Sequence, residues 1–329
     1  MGVDARVPVR AGRAWLAGTL ALTVGSFAAA VALAPPAGAP PGAALRWLLF
    51  AGSSPHIAAT AWFFTVREVR SHAFAHRSRY LLAPLALVAG AALLAALLPP
   101  DRFGGLLLAF FGWQFYHFQK QNLGLVALAA ASHHAGPVPR TQRRAVVAAG
   151  LAGTAGLLVH PELLQLSGHS WPRPLFPLCA LAYAAAVGTG LAALRHRKPP
   201  APYLAVYLSS LLFFTPVFAF GSPYAAVAGL TLAHGYQYLL LVGLVAAAPE
   251  PRGPALVAVA VLVNLALLGG AALSAASHLH SAGPAGRAVY GAYLGVVMAH
   301  FVIDAGLWRL RDEFPRRFLR ERLPYLLPP

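Results

Sequence analysis

The sequence predicts an all-α protein, a polytopic bundle of helices that crosses a membrane. Of its 329 residues, 58% are hydrophobic and only 10% are charged, whereas soluble proteins carry about 25% charged residues. The apolar residues form runs of about 20, the length that a helix needs to span a bilayer. The 25 basic residues outnumber the 9 acidic ones and fall mainly between these runs, which is typical of membrane proteins and argues against a nucleic-acid partner.

Ten apolar runs are long enough to be spans, and proline or glycine marks most of the joins between them. The predicted spans are 14–34, 47–66, 80–98, 103–131, 145–166, 175–194, 203–220, 224–248, 255–276 and 288–307. The first run follows basic residues as in a signal peptide, but no soluble domain comes after it, so we expect a retained span. We therefore predict one transmembrane domain over 1–308 and a separate tail over 309–329.

The basic residues predict the orientation of the chain. If the ten spans alternate, 20 of the 25 basic residues fall on the side of the N-terminus and four on the other. Basic loops stay in the cytoplasm, so we expect both termini there. The arginine-rich tail is amphipathic and is expected to lie on the anionic inner leaflet. Arginine outnumbers lysine 23 to 2, which we interpret as the coding bias of a GC-rich genome, and we expect a bacterial inner membrane.

Four histidines lie within predicted spans, and they are the main functional candidates. They are His56, His117, His234 and His300. Polar rings in hydrocarbon are costly and usually mark function. All four lie on even-numbered spans at similar depth, so we expect their imidazoles to form one layer and bind one transition metal ion.

Polar residues lie near three of these histidines on the same predicted helix. Gln114 and Gln121 share a helical stripe with His117, with Lys120 beside it, and Tyr238 lies one turn after His234. Asp304 lies one turn after His300. Histidine ligands usually donate their second N–H to a carboxylate, carbonyl or amide, so Asp304 is the leading candidate for that partner or for a further ligand. We predict catalytic or supporting roles for Asp304, Tyr238, Lys120, Gln121 and Gln114.

A second group of titratable residues lies at the inner end of the second predicted span. Glu68, His72 and His76 follow one another at intervals of four residues, so they share a helix face. The segment is charged and is expected at the interface. It is either a solvated basic helix end or a site for a metal or a substrate headgroup.

Other classes of site lack their motifs. The single cysteine, Cys179, excludes a disulfide framework and a cysteine-based zinc site within one chain. The sequence has no H-E-x-x-H, no paired E-x-x-H, no Walker loop and no G-x-G-x-x-G, which argues against zincins, carboxylate-bridged di-iron bundles and nucleotide binding.

Two short segments carry a family resemblance. GSSPHIAATAWFF, around His56, and WQFYHFQKQN, around His117, resemble two histidine motifs of the Brp/Blh-type carotene dioxygenases. The resemblance implies an all-helical membrane enzyme that holds iron through histidines and cleaves β-carotene to retinal. It implies ligand roles for His56 and His117, whereas those of His234 and His300 rest on their position in apolar spans.

Three functional hypotheses follow. The first is a membrane oxygenase or hydroxylase with a non-haem iron, or alternatively copper or zinc, acting on an isoprenoid, carotenoid or acyl chain. Its channel would be lined by Trp62, Phe63, Trp113, Phe115 and Tyr116. The second is a proton-coupled transporter or relay that uses the same histidine, aspartate and lysine residues. The third is a structural protein whose histidines only bridge helices.

Overall fold

A computed structural model describes residues 6–36, 38–166, 175–195, 198–248, 254–281 and 283–328. Within these ranges the chain forms helices joined by turns and contains no strand, which confirms the all-α prediction. Alanine and leucine have high helix propensity, and in lipid a helix satisfies every backbone polar group internally. Arg173, Arg197 and Arg252, which contributed to the predicted orientation, lie outside the described residues.

The helices are numbered in chain order. They are α1 Arg6–Ala32, α2 Ala43–Gly52, α3 Ser54–Ala59, α4 Arg67–Ala75, α5 Ala83–Leu97, α6 Pro100–Ser132, α7 Arg140–Val159, α8 Leu175–Ala192, α9 Ala201–Leu211, α10 Thr215–Ala219, α11 Gly229–Ala246, α12 Ala255–Asn264, α13 Gly270–Ser277, α14 Pro284–Leu307 and α15 Glu313–Arg322. Thr60–Thr65 and Pro161–Leu164 are 3₁₀ turns. Wider π turns precede α5, α11 and α13, at Ser78–Leu82, Tyr224–Ala228 and Leu265–Gly269.

The chain divides into two compact units, each assembled from distant parts of the sequence. Unit 1 comprises Met1–Arg46, Phe111–Gln237 and Leu323–Pro329. Unit 2 comprises Trp47–Phe110 and Tyr238–Arg322. The predicted division into a domain over 1–308 and a tail over 309–329 stays a prediction.

Six helical segments among the described residues are long and apolar enough to cross a membrane, and they indicate an integral membrane protein. They are Ala11–Ala32, Ser78–Leu97, Leu175–Ala192, Tyr224–Ala246, Ala255–Ser277 and Pro284–Leu307. Each corresponds to one of the ten predicted spans. The prediction of ten spans is wrong.

The other four predicted spans fail for two physical reasons. Segments 47–66 and 203–220 are not continuous helices: the first is interrupted at Ser53 and tightens into a 3₁₀ turn, and the second is interrupted after Leu211. Segments 103–131 and 145–166 are largely helical, but polar residues lower their hydropathy. Glutamine, histidine, lysine and asparagine interrupt the middle of α6. In the second segment the helix ends at Val159, so a membrane-length stretch of α7 has to include the arginines of its first turns.

In unit 2, α14 packs closely against α5. Gly291 and Gly295 of α14 face the backbone of Ala91 and Val88 of α5, and a Cβ atom at either glycine would overlap that backbone. Small residues allow helices in membranes to approach in this way. The pairing is antiparallel, because the residue number rises on α14 as it falls on α5. It fixes α14, which carries His300 and Asp304.

The short helix α3, which carries His56, is fixed by a close contact with α13. Pro55 lies at the start of α3, where its missing N–H costs nothing. A Cβ atom added to Gly270 would lie 2.9 Å from the Cα atom of Pro55. The lack of a side chain at Gly270 therefore lets α3 pack against α13 and holds His56 in place.

The antiparallel pair in unit 2 yields a topology prediction. The start of α5 and the end of α14 lie on the same side of the membrane, and arginines cluster beside both. Reporter fusions after Arg77 and Arg311 should therefore read as cytoplasmic and a fusion after Gly283 as external. A phosphatase and a fluorescent protein, active on opposite sides, give reciprocal readings at each point. An external signal after Arg77 or Arg311 would contradict the orientation.

Candidate metal centre

Unit 2 contains a buried group of five polar residues, here called the unit 2 cluster. It consists of His56, Thr60, Tyr238, His300 and Asp304, whose exposed fractions range from 2% to 4%. Buried polar groups are costly unless they are bonded to one another or to a ligand. The unit 2 cluster is therefore the leading candidate for a functional site among the described residues of unit 2.

A closed circuit of polar contacts joins four of these side chains. The Nδ1 atom of His300 lies 2.6 Å from Oγ1 of Thr60. The same Oγ1 lies 2.8 Å from the hydroxyl of Tyr238, which donates to Oδ1 of Asp304 at 3.0 Å. The circuit closes where Oδ2 of Asp304 lies 3.6 Å from Nε2 of His300.

With the carboxyl group of Asp304 ionised, the hydrogen bonds assign the tautomer of His300. Because Tyr238 donates its proton to Asp304, its oxygen accepts the proton of Thr60, and Thr60 in turn accepts from an N–H at Nδ1 of His300. A neutral His300 then carries a lone pair on Nε2, which faces a carboxylate oxygen. Two such electron-rich atoms repel each other unless a proton or a metal ion lies between them.

The second histidine of the unit 2 cluster presents the same nitrogen. Nδ1 of His56 lies 2.9 Å from the backbone oxygen of Gly52, and a carbonyl oxygen only accepts. His56 is therefore protonated at Nδ1, and its Nε2 is the ligand atom. The rings of His56 and His300 have centroids 5.2 Å apart, and a ring nitrogen of one lies within 4.8 Å of a ring nitrogen of the other.

The pair formed by His300 and Asp304 meets the spacing of metal ligands, and His56 lies beside His300. Metal bonds to imidazole and carboxylate are about 2.1 Å long, so two ligands of one ion lie at most about 4.2 Å apart. The 3.6 Å between His300 and Asp304 is within this limit. Each donor also has a hydrogen-bond partner that orients it: Gly52 for His56, Thr60 for His300 and Tyr238 for Asp304. Two imidazoles and one carboxylate are the ligand set of many non-haem iron oxygenases.

Aromatic side chains form an apolar wall beside the unit 2 cluster. Ring centroids of Tyr238 and Trp308 lie 6.2 Å apart, those of Trp308 and Phe63 5.8 Å apart, and those of Phe63 and Phe318 6.4 Å apart. Trp62 and Phe63 are each only 1% exposed. A wall of this kind keeps water from the polar atoms and strengthens their electrostatic interactions.

Unit 1 contains a second histidine pair. The rings of His117 and His234 have centroids 5.1 Å apart, and His234, which is 1% exposed, stacks on Phe118 at 4.0 Å. Gln121 donates to the backbone oxygen of His234 at 3.0 Å and to Oε1 of Gln237 at 3.1 Å. These bonds tie α6 to α11 at the level of the pair.

The four predicted histidine ligands thus divide into two pairs, one in each unit. That all four bind a single ion stays a prediction. The remaining candidates differ in burial: Lys120 is exposed, Gln114 and Gln121 are half-buried, and Tyr238 is fully buried. Of the predicted channel residues in unit 1, Phe115 is 1% exposed, whereas Trp113 and Tyr116 are 37% and 39% exposed.

Two features of these sites were missed by sequence reasoning. Thr60, the link between His300 and Tyr238, lies four residues after His56, and that helical spacing was a usable signal.

In unit 1, Gln119 and Asn122 are the buried polar residues of α6. Gln119 donates to the backbone oxygen of Val146, and Asn122 donates to Gln119. Both lie beside the predicted stripe, and no motif marks them.

No known family model, curated protein or solved structure matches this chain. The function is therefore inferred from the chain's own residues. The resemblance to Brp/Blh-type carotene dioxygenases stays a prediction.

Proposed function

We propose that the protein is an integral-membrane, metal-dependent oxygenase or hydroxylase that acts on a lipophilic substrate at the unit 2 cluster. The observation that carries the proposal is the pairing of Nε2 of His300 with Oδ2 of Asp304 at 3.6 Å. With that nitrogen as a lone-pair donor, a proton or a metal ion between the two atoms would remove their repulsion, and in this proposal it is a metal ion.

The ligands in this proposal are Nε2 of His56, Nε2 of His300 and Oδ2 of Asp304. Iron is the metal that this set favours, with copper and zinc as alternatives. Dioxygen activation is the chemistry that an iron ion would supply here. Thr60 holds the tautomer of His300, and Tyr238 orients the carboxylate of Asp304.

The proposed substrate is an isoprenoid, carotenoid or acyl chain that enters from the bilayer. The aromatic wall formed by Phe63, Tyr238, Trp308 and Phe318 supports this choice, because it offers apolar surface next to polar ligand atoms. The resemblance of the His56 segment to carotene dioxygenases points the same way. We place the enzyme in a bacterial inner membrane.

The metal content of the purified protein tests the proposal. After expression with iron supplied, elemental analysis should find about one iron per chain. Chelation should abolish dioxygen-dependent conversion of a lipophilic substrate, and Fe²⁺ should restore it where Mg²⁺ does not. A stably folded protein that contains no transition metal would overturn the proposal.

A proton relay is the second candidate function, and one observation favours it. The chain from His300 through Thr60 and Tyr238 to Asp304 links an imidazole to a carboxylate by hydrogen bonds that are able to carry a proton. The relay predicts that metal-free protein in liposomes moves protons and that Asp304→Asn stops this movement. The oxygenase predicts no proton flux in the metal-free protein.

A further inference from the structure

Unit 2 contains a second polar site, separate from the residues of the unit 2 cluster. It is a cavity of about 1000 Å³. Its walls include Arg67, His72, His76, Arg79, Tyr80 and Arg317. Pockets of this size accommodate a small molecule or a headgroup.

The cavity lies where two spans of unit 2 leave the membrane. One wall comes from α4 and the first residues of the span Ser78–Leu97. The opposite wall comes from residues 312–317, which follow the end of α14 at Leu307. Because α5 and α14 are antiparallel, both walls lie at the same membrane surface, and their arginines predict that this surface is cytoplasmic.

Positive charge exceeds negative charge at the cavity. Glu68 lies 3.8 Å from Arg322, and Asp312 lies 3.6 Å from Arg309. Both arginines lie outside the cavity walls, so they offset two of the three carboxylates that line it. Of the three lining arginines, Arg317 lies 4.0 Å from Glu321, which is outside the walls, so Arg67 and Arg79 then face the remaining lining carboxylate, that of Glu313. The surplus favours an anionic ligand.

His72 adds a charge that depends on pH. The rings of His72 and His76 have centroids 4.3 Å apart, and His72 stacks on Phe314 at 4.1 Å. Burial, and then the neighbouring His76, lower the pKa of His72 below its usual value; Asp312 opposes this and Arg79 adds to it. At neutral pH His72 is therefore mainly uncharged, and an anion beside it favours the protonated form.

Several groups face His72 from each wall of the cavity. On α4 and the start of the next span they are Arg67, Glu68, His76, Arg79 and Tyr80, and from the segment after α14 they are Asp312, Glu313 and Arg317. An anion bound beside His72 favours its protonated form, so we expect anion binding to tighten as the pH falls from 7 to 5.5.

We propose that this cavity binds a phosphate group, that of an anionic phospholipid in the cytoplasmic leaflet. Guanidinium groups match phosphate oxygens with paired hydrogen bonds. The cavity lies at headgroup level, and the cytoplasmic leaflet is rich in anionic lipids. The site uses none of the proposed metal ligands, so a test of phosphate binding is independent of the proposed oxygenase activity.

Calorimetric titration of the full-length protein in neutral detergent tests this site. The probes are dioctanoyl phosphatidate, dioctanoyl phosphatidylcholine and inorganic phosphate. We expect phosphatidate to bind most tightly and Arg317→Gln to weaken it about tenfold. Arg320→Gln is the matched control, because Arg320 is exposed on the same helix and does not line the cavity; its effect should stay within about twofold. His72→Gln should remove most of the tightening between pH 7 and pH 5.5.

Each outcome bears on the proposal. If inorganic phosphate binds as tightly as phosphatidate, the phosphate site is upheld and its ligand is a soluble phosphate compound. Failure of all three probes to bind overturns the site. So does an equal loss of affinity in Arg317→Gln and Arg320→Gln, because binding would then follow overall charge. The melting temperature of each variant verifies that it is folded.

Discussion

His300→Ala should lower the iron content of the purified protein by at least about tenfold and abolish dioxygen-dependent turnover. His300 lies next to both other proposed ligands. The ring centroids of His300 and His56 are 5.2 Å apart, and Nε2 of His300 lies 3.6 Å from Oδ2 of Asp304. Without His300, the proposed ligands His56 and Asp304 remain, but the residue that lies next to both is gone. Elemental analysis and oxygen uptake measure the effect, and His300→Gln, which keeps a polar side chain, guards against simple unfolding.

His278→Ala is the matched control for the histidine variants. Nδ1 of His278 donates to the carbonyl of Ser274, four residues earlier, at 2.7 Å, as Nδ1 of His56 does to Gly52. His278 is exposed and lies outside the unit 2 cluster. Its replacement should leave iron and turnover unchanged. Equal iron in His278→Ala, His56→Ala and His300→Ala would show that the cluster does not bind metal.

The histidines of unit 1 are tested in the same experiment. If one ion is held by all four predicted histidines, His117→Ala and His234→Ala should also lower the iron content. If the ligands come from unit 2 alone, these variants should keep their iron. The His117 and His234 pair would then be a packing contact, supported by the stacking of His234 on Phe118.

The sequence predicts the all-α membrane fold correctly, but it predicts the number of spanning helices only in part. Hydropathy identified each of the six membrane-length helices, because a run of about 20 apolar residues has few alternatives to a spanning helix. It overcounted where an apolar run is not one helix. Residues 47–66 are mostly apolar, yet the helix is interrupted at Ser53. Hydropathy measures composition and does not detect such a break.

The sequence predicts most residues of the candidate site, but it does not predict the circuit of polar contacts that joins them. His56, His300, Asp304 and Tyr238 stood out because polar groups in apolar runs are costly. Thr60 did not, since threonine is common in membrane helices and its hydroxyl is able to bond its own backbone. Its role depends on three separate helical segments meeting. Lys120 shows the opposite error: it is charged and within a predicted span, yet it is exposed.

Asp304→Asn should give a folded protein that has lost most of its metal. The amide oxygen still accepts the hydrogen bond from Tyr238, which now goes to Oδ1 of Asp304. The amide nitrogen takes the place of Oδ2 and is able to donate to the lone pair on Nε2 of His300. A neutral hydrogen bond thus replaces the proposed cation, so we expect metal affinity to fall about 10- to 100-fold and turnover to be largely lost.

Thermal unfolding with and without a chelator separates this role from helix packing. Ligands that bind only the folded state raise its stability, so chelation should lower the melting temperature of the wild-type protein. Chelation should not lower the melting temperature of Asp304→Asn. In that variant the buried site no longer contains the carboxylate charge, which costs about 2.5 kcal/mol or more when it is uncompensated. Asp312→Asn, in a half-exposed ion pair, is the matched control and should respond to the chelator as wild type does. If Asp304→Asn keeps full metal and full turnover while Asp304→Ala merely unfolds, the carboxylate serves only to pack α14, and the tenth predicted span supplies at most one ligand.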